Sequence, residues 1–345
     1  VYVWGSFTQS KMFTRGVVCS NCHDPHTAEL KLQGNTVCTQ CHNTSVHPDF
    51  PSLPLIDFED PAHHFHEPGS EAAQCVACHM PATTYMVIDD RRDHSFRIPR
   101  PDLTTTIGVP NACNQCHDEK SSQWAQTAIT QWYGQYRRQH FAPIFAAGRS
   151  GEPAAESGLV ELAEDNTQPA IVRATAFALL AGYELRRSSA AIEQGLKDPH
   201  PLVRIGALRG SLRWSAQLRW QRLKMLLEDE ILAVRIEAVR ALLNVYPQLA
   251  PKTQQLLQPY LQTYLDNLSL HTDTAEGQSN IAAVHSALNN TAAAEAALQQ
   301  ALVLNPQWVP GMVNLADLYR STGRDGLGGA LLDSALAVSP RDPDV

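Results

Sequence analysis

Cys19-Ser20-Asn21-Cys22-His23-Asp24-Pro25-His26 is the stretch that decides how this chain folds. Its first five residues form the pattern Cys-x-x-Cys-His. The pattern returns as Cys38-Thr39-Gln40-Cys41-His42, Cys75-Val76-Ala77-Cys78-His79 and Cys113-Asn114-Gln115-Cys116-His117, and the copies consume all 8 cysteines of the 345-residue chain. Such a pattern is the attachment site of c-type haem. The two thiols add to the porphyrin vinyl groups, and the neighbouring imidazole reaches the iron from one face. The sequence therefore predicts four haem c groups, each with its iron. Cys19, Cys22, Cys38, Cys41, Cys75, Cys78, Cys113 and Cys116 are the expected covalent anchors, and His23, His42, His79 and His117 the expected proximal ligands.

Two other uses of paired cysteines fit less well. Cys19–Cys22 and Cys38–Cys41 are spaced as in a four-cysteine zinc ribbon, and an even cysteine count suits a disulfide framework. Neither has a use for a His after every second Cys, and the gap from Cys78 to Cys113 is too wide for a ribbon.

Residues 1–118 are rich in Pro, Gly, His and Asp and hold no sustained helical or strand period. Such a segment cannot build an ordinary apolar core, but it can wrap haem macrocycles that are themselves the core. Seven further histidines occur up to residue 140: His26, His47, His63, His64, His66, His94 and His140. Four suffice if every iron binds two imidazoles. His26 is too close to His23 to fold back on the same iron and is expected to reach the next haem. His63 and His66 are three apart and fit one helical face; His66 with one of His63 or His64 is expected to ligate, His64 otherwise pointing elsewhere. His94 is a further candidate, His47 a spare, and His140 a surface residue. Met80 and Met86 are alternative axial ligands, but with histidine in surplus both are expected to pack on haem faces. Arg91, Arg92, Arg97 and Arg100 bracket His94. A guanidinium fork matches a propionate carboxylate, so this cluster is expected to pair with the haem edge.

From Lys120 to Phe141 the apolar residues Trp124, Ala128, Ile129, Trp132 and Tyr136 recur mostly at helical steps, predicting a closing helix. A small-residue linker, 146–153, follows. Beyond it the chain repeats. Val172-Arg173-Ala-Thr-Ala176 returns as Val203-Arg204-Ile-Gly-Ala207 and Val234-Arg235-Ile-Glu-Ala238, 31 residues apart both times. Asn280, Asn289, Ala297, Ala301 and Pro306 have counterparts 34 residues later at Asn314, Gly323, Leu331, Ala335 and Pro340.

Asp198-Pro-His-Pro-Leu-Val-Arg204 with Ala207-Leu208 resembles a HEAT repeat. The later period, ending in Ala-Leu-Val-Leu-Asn-Pro306 and Ala-Leu-Ala-Val-Ser-Pro340, resembles tetratricopeptide (TPR) repeats. The haem segment resembles multihaem cytochromes c with doubled Cys-x-x-Cys-His motifs fused to such repeats. Cys19 to His26, His63 to His66, Cys75 to Pro81, Arg92 to Phe96 and Pro110 to Cys113 carry that likeness. The expected fold is mainly α: a loop-rich tetrahaem cytochrome c domain with a closing helix (1–141), then an α-solenoid of HEAT-like pairs (154–250) and TPR-like pairs (251–345). The resemblance implies exported electron transfer, periplasmic or extracellular, in a group whose members often carry more haem sites upstream. Haem c is attached outside the cytoplasm, so the precursor is expected to have carried an export signal; the abrupt opening at Val1 leaves the haem count of the intact protein open. No polar capping helix closes the repeats before Val345, so a mobile end or a covering subunit is expected there.

Composition narrows the function. A net charge of −8 makes nucleic acid an unsuitable partner. No run of 18 apolar residues provides a membrane span. The leading expectation is an electron conduit of four bis-His haems without substrate chemistry of its own. Its helical repeats would dock redox partners or further copies, in one version as an extracellular conductive filament. One alternative is a reductase of a nitrogen or sulfur oxyanion with an open haem site. The other is a repeat-based scaffold.

Overall fold

The computed structural model describes residues 3–85, 88–135, 139–183 and 186–340; Met86 and Tyr136 lie outside them. The molecule is mainly helical, and it divides into two compact units, 1–146 and 147–345.

In the first unit the helices up to residue 116 are short: Val3–Phe7, Lys11–Thr14, Cys19–Cys22, Thr36–Thr39, Pro61–His64, Cys75–His79, Pro101–Ile107 and Cys113–Cys116. The motif turns at Cys19, Cys75 and Cys113 follow from the Cys spacing. Residues three apart share one face of a helical turn, so both thiols are presented together. One hairpin joins β1 (Ala82–Tyr85) to β2 (Asp89–Arg92), antiparallel, with Ala82 opposite Arg92. Few apolar side chains are buried in this unit, among them Phe7, Val37, Leu103 and Phe145. Side-chain packing alone is therefore a thin core for so long a segment.

The closing helix is shorter than its periodicity suggests. It runs Ser122–Tyr133, capped by Ser121, whose hydroxyl accepts the Trp124 N–H at 3.2 Å. Gly134, at φ +81°, ends it, because only glycine takes that conformation without cost. The expected linker is also partly helical: Ala142–Arg149 runs into it, and Gly148 lets Leu159 approach closely.

The second unit is a succession of helices, each packed on neighbours close in sequence. Ala155–Glu164, Ala170–Leu179, Arg186–Gly195, Pro201–Gly210, Ala216–Leu223 and Leu232–Leu243 come first. Pro251–Leu268, Ala275–Ala287, Thr291–Leu304, Val309–Ser321 and Asp325–Val338 follow. The 31-residue spacing is a spacing of core positions, since Val172, Val203, Val234 and Ala176, Ala207, Ala238 are all buried. The arginine after each Val makes a ladder. Arg173 pairs with Asp198 at 2.6 Å and Arg204 with Asp229 at 2.9 Å, all four side chains nearly buried. Arg204 also donates to the carbonyls of Asp198 and Pro199, and Arg235 repeats this on Asp229 and Glu230.

The 34-residue spacing likewise has a backbone cause. Asn289 (φ +57°) and Gly323 (φ +74°) are both left-handed just after the ends of Ala275–Ala287 and Val309–Ser321. Asn and Gly are the residues that enter this conformation most readily. Glu295 clasps Arg324 with two bonds of 2.9 and 2.8 Å, and the guanidinium lies 4.4 Å over the Tyr319 ring. Among the described residues no helix is long and apolar enough to cross a membrane.

Candidate haem-binding site

The four motifs lie beside one another in chain order. The Cys22 thiol is near enough to those of Cys38 and Cys41 to raise both pKa values. Cys38 is hydrogen-bonded to Cys75, which pushes the Cys38 thiol up, and Cys78 is in turn close to Cys113 and Cys116. Burial is the largest cause of the raised pKa at Cys22, Cys41, Cys78 and Cys113. Asn35 clamps the second motif to the third. Its amide donates to Ala73 O at 3.1 Å, and its carbonyl oxygen accepts the Cys75 N–H at 2.8 Å. Gln115 of the fourth motif donates to Ala82 O at 3.1 Å, just beyond the third.

Three of the motif histidines face a second imidazole. His23 meets His94, His79 meets His63, and His117 meets His66, each pair with ring centroids 6.3 Å apart and planes within 29° of parallel. Two imidazoles bound on opposite sides of one metal, each through a nitrogen at roughly 2 Å, hold their centroids a little over ~6 Å apart. The separation thus fits one ion between each pair. The nitrogens agree. Nδ1 of His23, His79, His94 and His66 lies on the carbonyl of Ala28, Arg97, Arg92 and His64, at 2.8, 2.9, 3.0 and 2.5 Å. A carbonyl only accepts, so Nδ1 carries the proton and Nε2 keeps the lone pair a metal needs.

Local backbone explains these placements. Phe65 sits at φ +55° and ends the turn Pro61–His64, so His63 and His66 do not share a helical face; one goes to His79 and the other to His117. This corrects the helical expectation for that pair. The strained Phe65 is held by its ring, stacked 4.5 Å from Trp132 at 2°. Tyr133 donates its hydroxyl to the His63 carbonyl. Ala28 (φ +61°) and Phe96 (φ +52°) are also left-handed, the first supplying the carbonyl to His23 and the second preceding Arg97, which supplies one to His79. His94 is anchored from the chain start, its N–H donating to the buried Ser6 hydroxyl at 3.3 Å. Ser6, Asn35 and Tyr133 carry no pattern that marks them in sequence; each acts through a contact made across tens of residues.

The remaining histidines differ. Both nitrogens of His64 are engaged: Nε2 with Glu59 O at 3.2 Å, while Nδ1 accepts the His66 N–H. His26 is exposed, its backbone N–H donating to Asp24 Oδ1, and its ring faces none of the motif histidines. His47 accepts the Asp49 N–H on Nδ1 and leans on Phe50. His42 meets Phe58 edge-on at 5.9 Å, and burial with the nearby His79 lowers its pKa. His140 is half-buried rather than superficial; burial first, then Arg100 and Arg97, lowers its pKa.

The arginines have protein partners. Arg91 pairs with Asp89 at 2.6 Å and covers the Tyr85 ring. Arg92 donates to the Val76 and Met80 carbonyls, closing the Cys75–His79 turn. Arg97 donates to Ser95 Oγ, and Arg100 forks onto Asp102. Met80 contributes its carbonyl to Arg92.

The donor set fits haem c and not a zinc cage. All eight cysteines are unpaired thiols, and no three His, Cys, Asp or Glu side chains converge on one point among the described residues. Residues 11–47 match the family of the doubled CXXCH motif. That match supports a multihaem cytochrome c relationship, with covalent haem and electron transfer, for the stretch holding the first two motifs. No curated protein and no solved structure matches the chain.

Proposed function

We propose that the chain is an exported electron carrier, periplasmic or extracellular, holding four haem c groups in a row. The observation that carries the reading is the set of three parallel imidazole pairs at 6.3 Å, each containing one motif histidine. When bound, haem supplies the one-electron ferric/ferrous couple. The residues do the rest. Cys19 and Cys22, Cys38 and Cys41, Cys75 and Cys78, and Cys113 and Cys116 anchor the four groups, and the proximity of successive motifs sets short steps between them. His23 with His94, His79 with His63, and His117 with His66 would be the iron's protein ligands, a saturated set that would exclude substrate and suit electron exchange with little rearrangement. The carbonyls on Nδ1 hold the rings in place and make them stronger donors, which favours the ferric state. Ser6 and Tyr133 position His94 and His63.

The helices of 154–250 are read as HEAT-like and those of 251–345 as TPR-like pairs, an α-solenoid that docks a redox partner or further copies of the chain. The buried ladder from Arg173 to Asp229 and the matched left-handed turns at Asn289 and Gly323 support that reading.

Mass spectrometry and a pyridine haemochrome assay test the haem reading. Four covalent haems per chain, with His94→Ala converting one from low to high spin, are expected. Fewer than four, or a His94→Ala spectrum identical to wild type, refutes it.

A further inference from the structure

We infer that the haem anchored at Cys38, Cys41 and His42 differs from the other three in having an exchangeable second axial position, open to a small external ligand such as carbon monoxide, cyanide or free imidazole. The inference rests on the haem reading above. It comes from accounting for every histidine of the first unit, all of which are described. Six are used in the three facing pairs. His42 has no such mate among the described residues; its ring neighbour is Phe58, edge-on at 84°.

The spare imidazoles are disposed elsewhere. His64 has both nitrogens on backbone groups. His47 is turned into its own loop, against Phe50 and the Asp49 N–H. His140 packs on Phe141 at 4.2 Å and accepts the Ala142 N–H. His26 is exposed, on a loop tied down by Asp24, which accepts the His26 and Thr27 N–H groups at 2.9 and 3.0 Å. Phe58 also meets His63 edge-on, at 5.0 Å, while His63 itself faces His79. His42 thus lies beside a phenyl ring, where each of the paired motif histidines faces a carbonyl-held or Tyr133-braced loop that delivers an imidazole. The ligand class follows from these surroundings. The apolar phenyl neighbour suits compact, neutral or weakly charged donors that bind iron strongly.

The test uses the haem-loaded full chain, diluted to exclude self-association. The ferric protein is quantified by EPR, and the dithionite-reduced protein is titrated with carbon monoxide. The expected result is one high-spin haem per chain and one carbon monoxide bound per chain. His26→Ala and His47→Ala should leave both values unchanged. His42→Ala should abolish the single carbon monoxide site or alter its spectrum while the three low-spin haems persist. Four low-spin haems with no carbon monoxide uptake at any dilution would overturn the inference. So would a wild type low-spin throughout in which His26→Ala or His47→Ala creates the high-spin signal. A low-spin fourth haem that turns high-spin on dilution would assign its ligand to a second copy and also overturn it. A chain mass showing fewer than four haems would instead sink the underlying haem reading, which keeps the two failures apart.

Discussion

Replacing Asp229 with alanine probes the buried arginine ladder at its best-defined rung. Arg204 Nη2 lies 2.9 Å from Asp229 Oδ1, with the two side chains 9% and 7% exposed. Removing one partner of a buried pair costs about 3–5 kcal/mol, because the other charge is left without compensation. Here the guanidinium keeps the carbonyls of Asp198 and Pro199 at 2.9 and 3.1 Å, which puts the loss at the lower end. Asp229 also accepts the Ile231 N–H at 2.9 Å, at the mouth of the Leu232–Leu243 helix. Losing that bond adds about 1 kcal/mol, for an expected total of about 4 kcal/mol. The assay is urea unfolding of the haem-loaded full chain, followed by far-ultraviolet circular dichroism, for Asp229→Ala, Arg204→Ala and the double variant. The two losses should be strongly sub-additive, by more than about 1.5 kcal/mol, since the double variant leaves no orphan charge. A loss under about 1 kcal/mol, as at exposed pairs, or additivity within about 0.5 kcal/mol, would refute the assignment of a coupled buried rung.

Other consequences are as direct. Asn35→Ala removes both bonds that clamp the second motif to the third and should cost about 2 kcal/mol in thermal unfolding; an unchanged melting curve would show the clamp to be idle. Gly206→Ala places a Cβ 2.3 Å from Ala174 O, so the helices Ala170–Leu179 and Pro201–Gly210 must separate. Chemical denaturation should show a loss of at least about 1–3 kcal/mol there. The Arg324 hydrogen bond holds the Glu295 carboxyl below its ordinary value of 4.5. Its stabilisation is therefore full above about pH 4.5 and lost as the pH falls through the lower folded value. Glu295→Gln should flatten that part of the acid-unfolding profile, and an unaltered profile would count against the clasp. His64→Ala should leave haem spin states untouched, since both its nitrogens serve the backbone; a new high-spin signal worth one haem would make it a ligand.

Much of the candidate site was legible because covalent attachment writes itself into sequence. A vinyl-reactive thiol pair and an adjoining imidazole must be local, so Cys-x-x-Cys-His is visible without a fold. The opposite imidazole need not be local. His94 meets His23 across a loop held by Ser6, and His63 and His66 separate only because Phe65 enters the left-handed region. Helical spacing pointed the wrong way for that pair. His26, beside the first motif, was the most conspicuous candidate by sequence, yet it stands exposed. The basic cluster was visible as charge, but which carboxylate or carbonyl each arginine meets depends on the β1–β2 hairpin and the turn at Cys75. The helical half was easier. Each repeat buries the same positions against its neighbour, so Val172, Val203 and Val234 recur at the spacing of the packing itself.

By itself the sequence showed the four Cys-x-x-Cys-His motifs, the candidate anchors and proximal histidines within them, and helical periods of 31 and then 34 residues in the second half. Those properties depend on neighbours in the chain or on a period carried along it. Tertiary structure alone decided which imidazoles face one another, that His64 is spent on the backbone, and that Asn35 binds two motifs together. The physical reason is the same in each case. Each depends on contacts between groups that are not neighbours in the chain, and that condition is met in space rather than along the sequence.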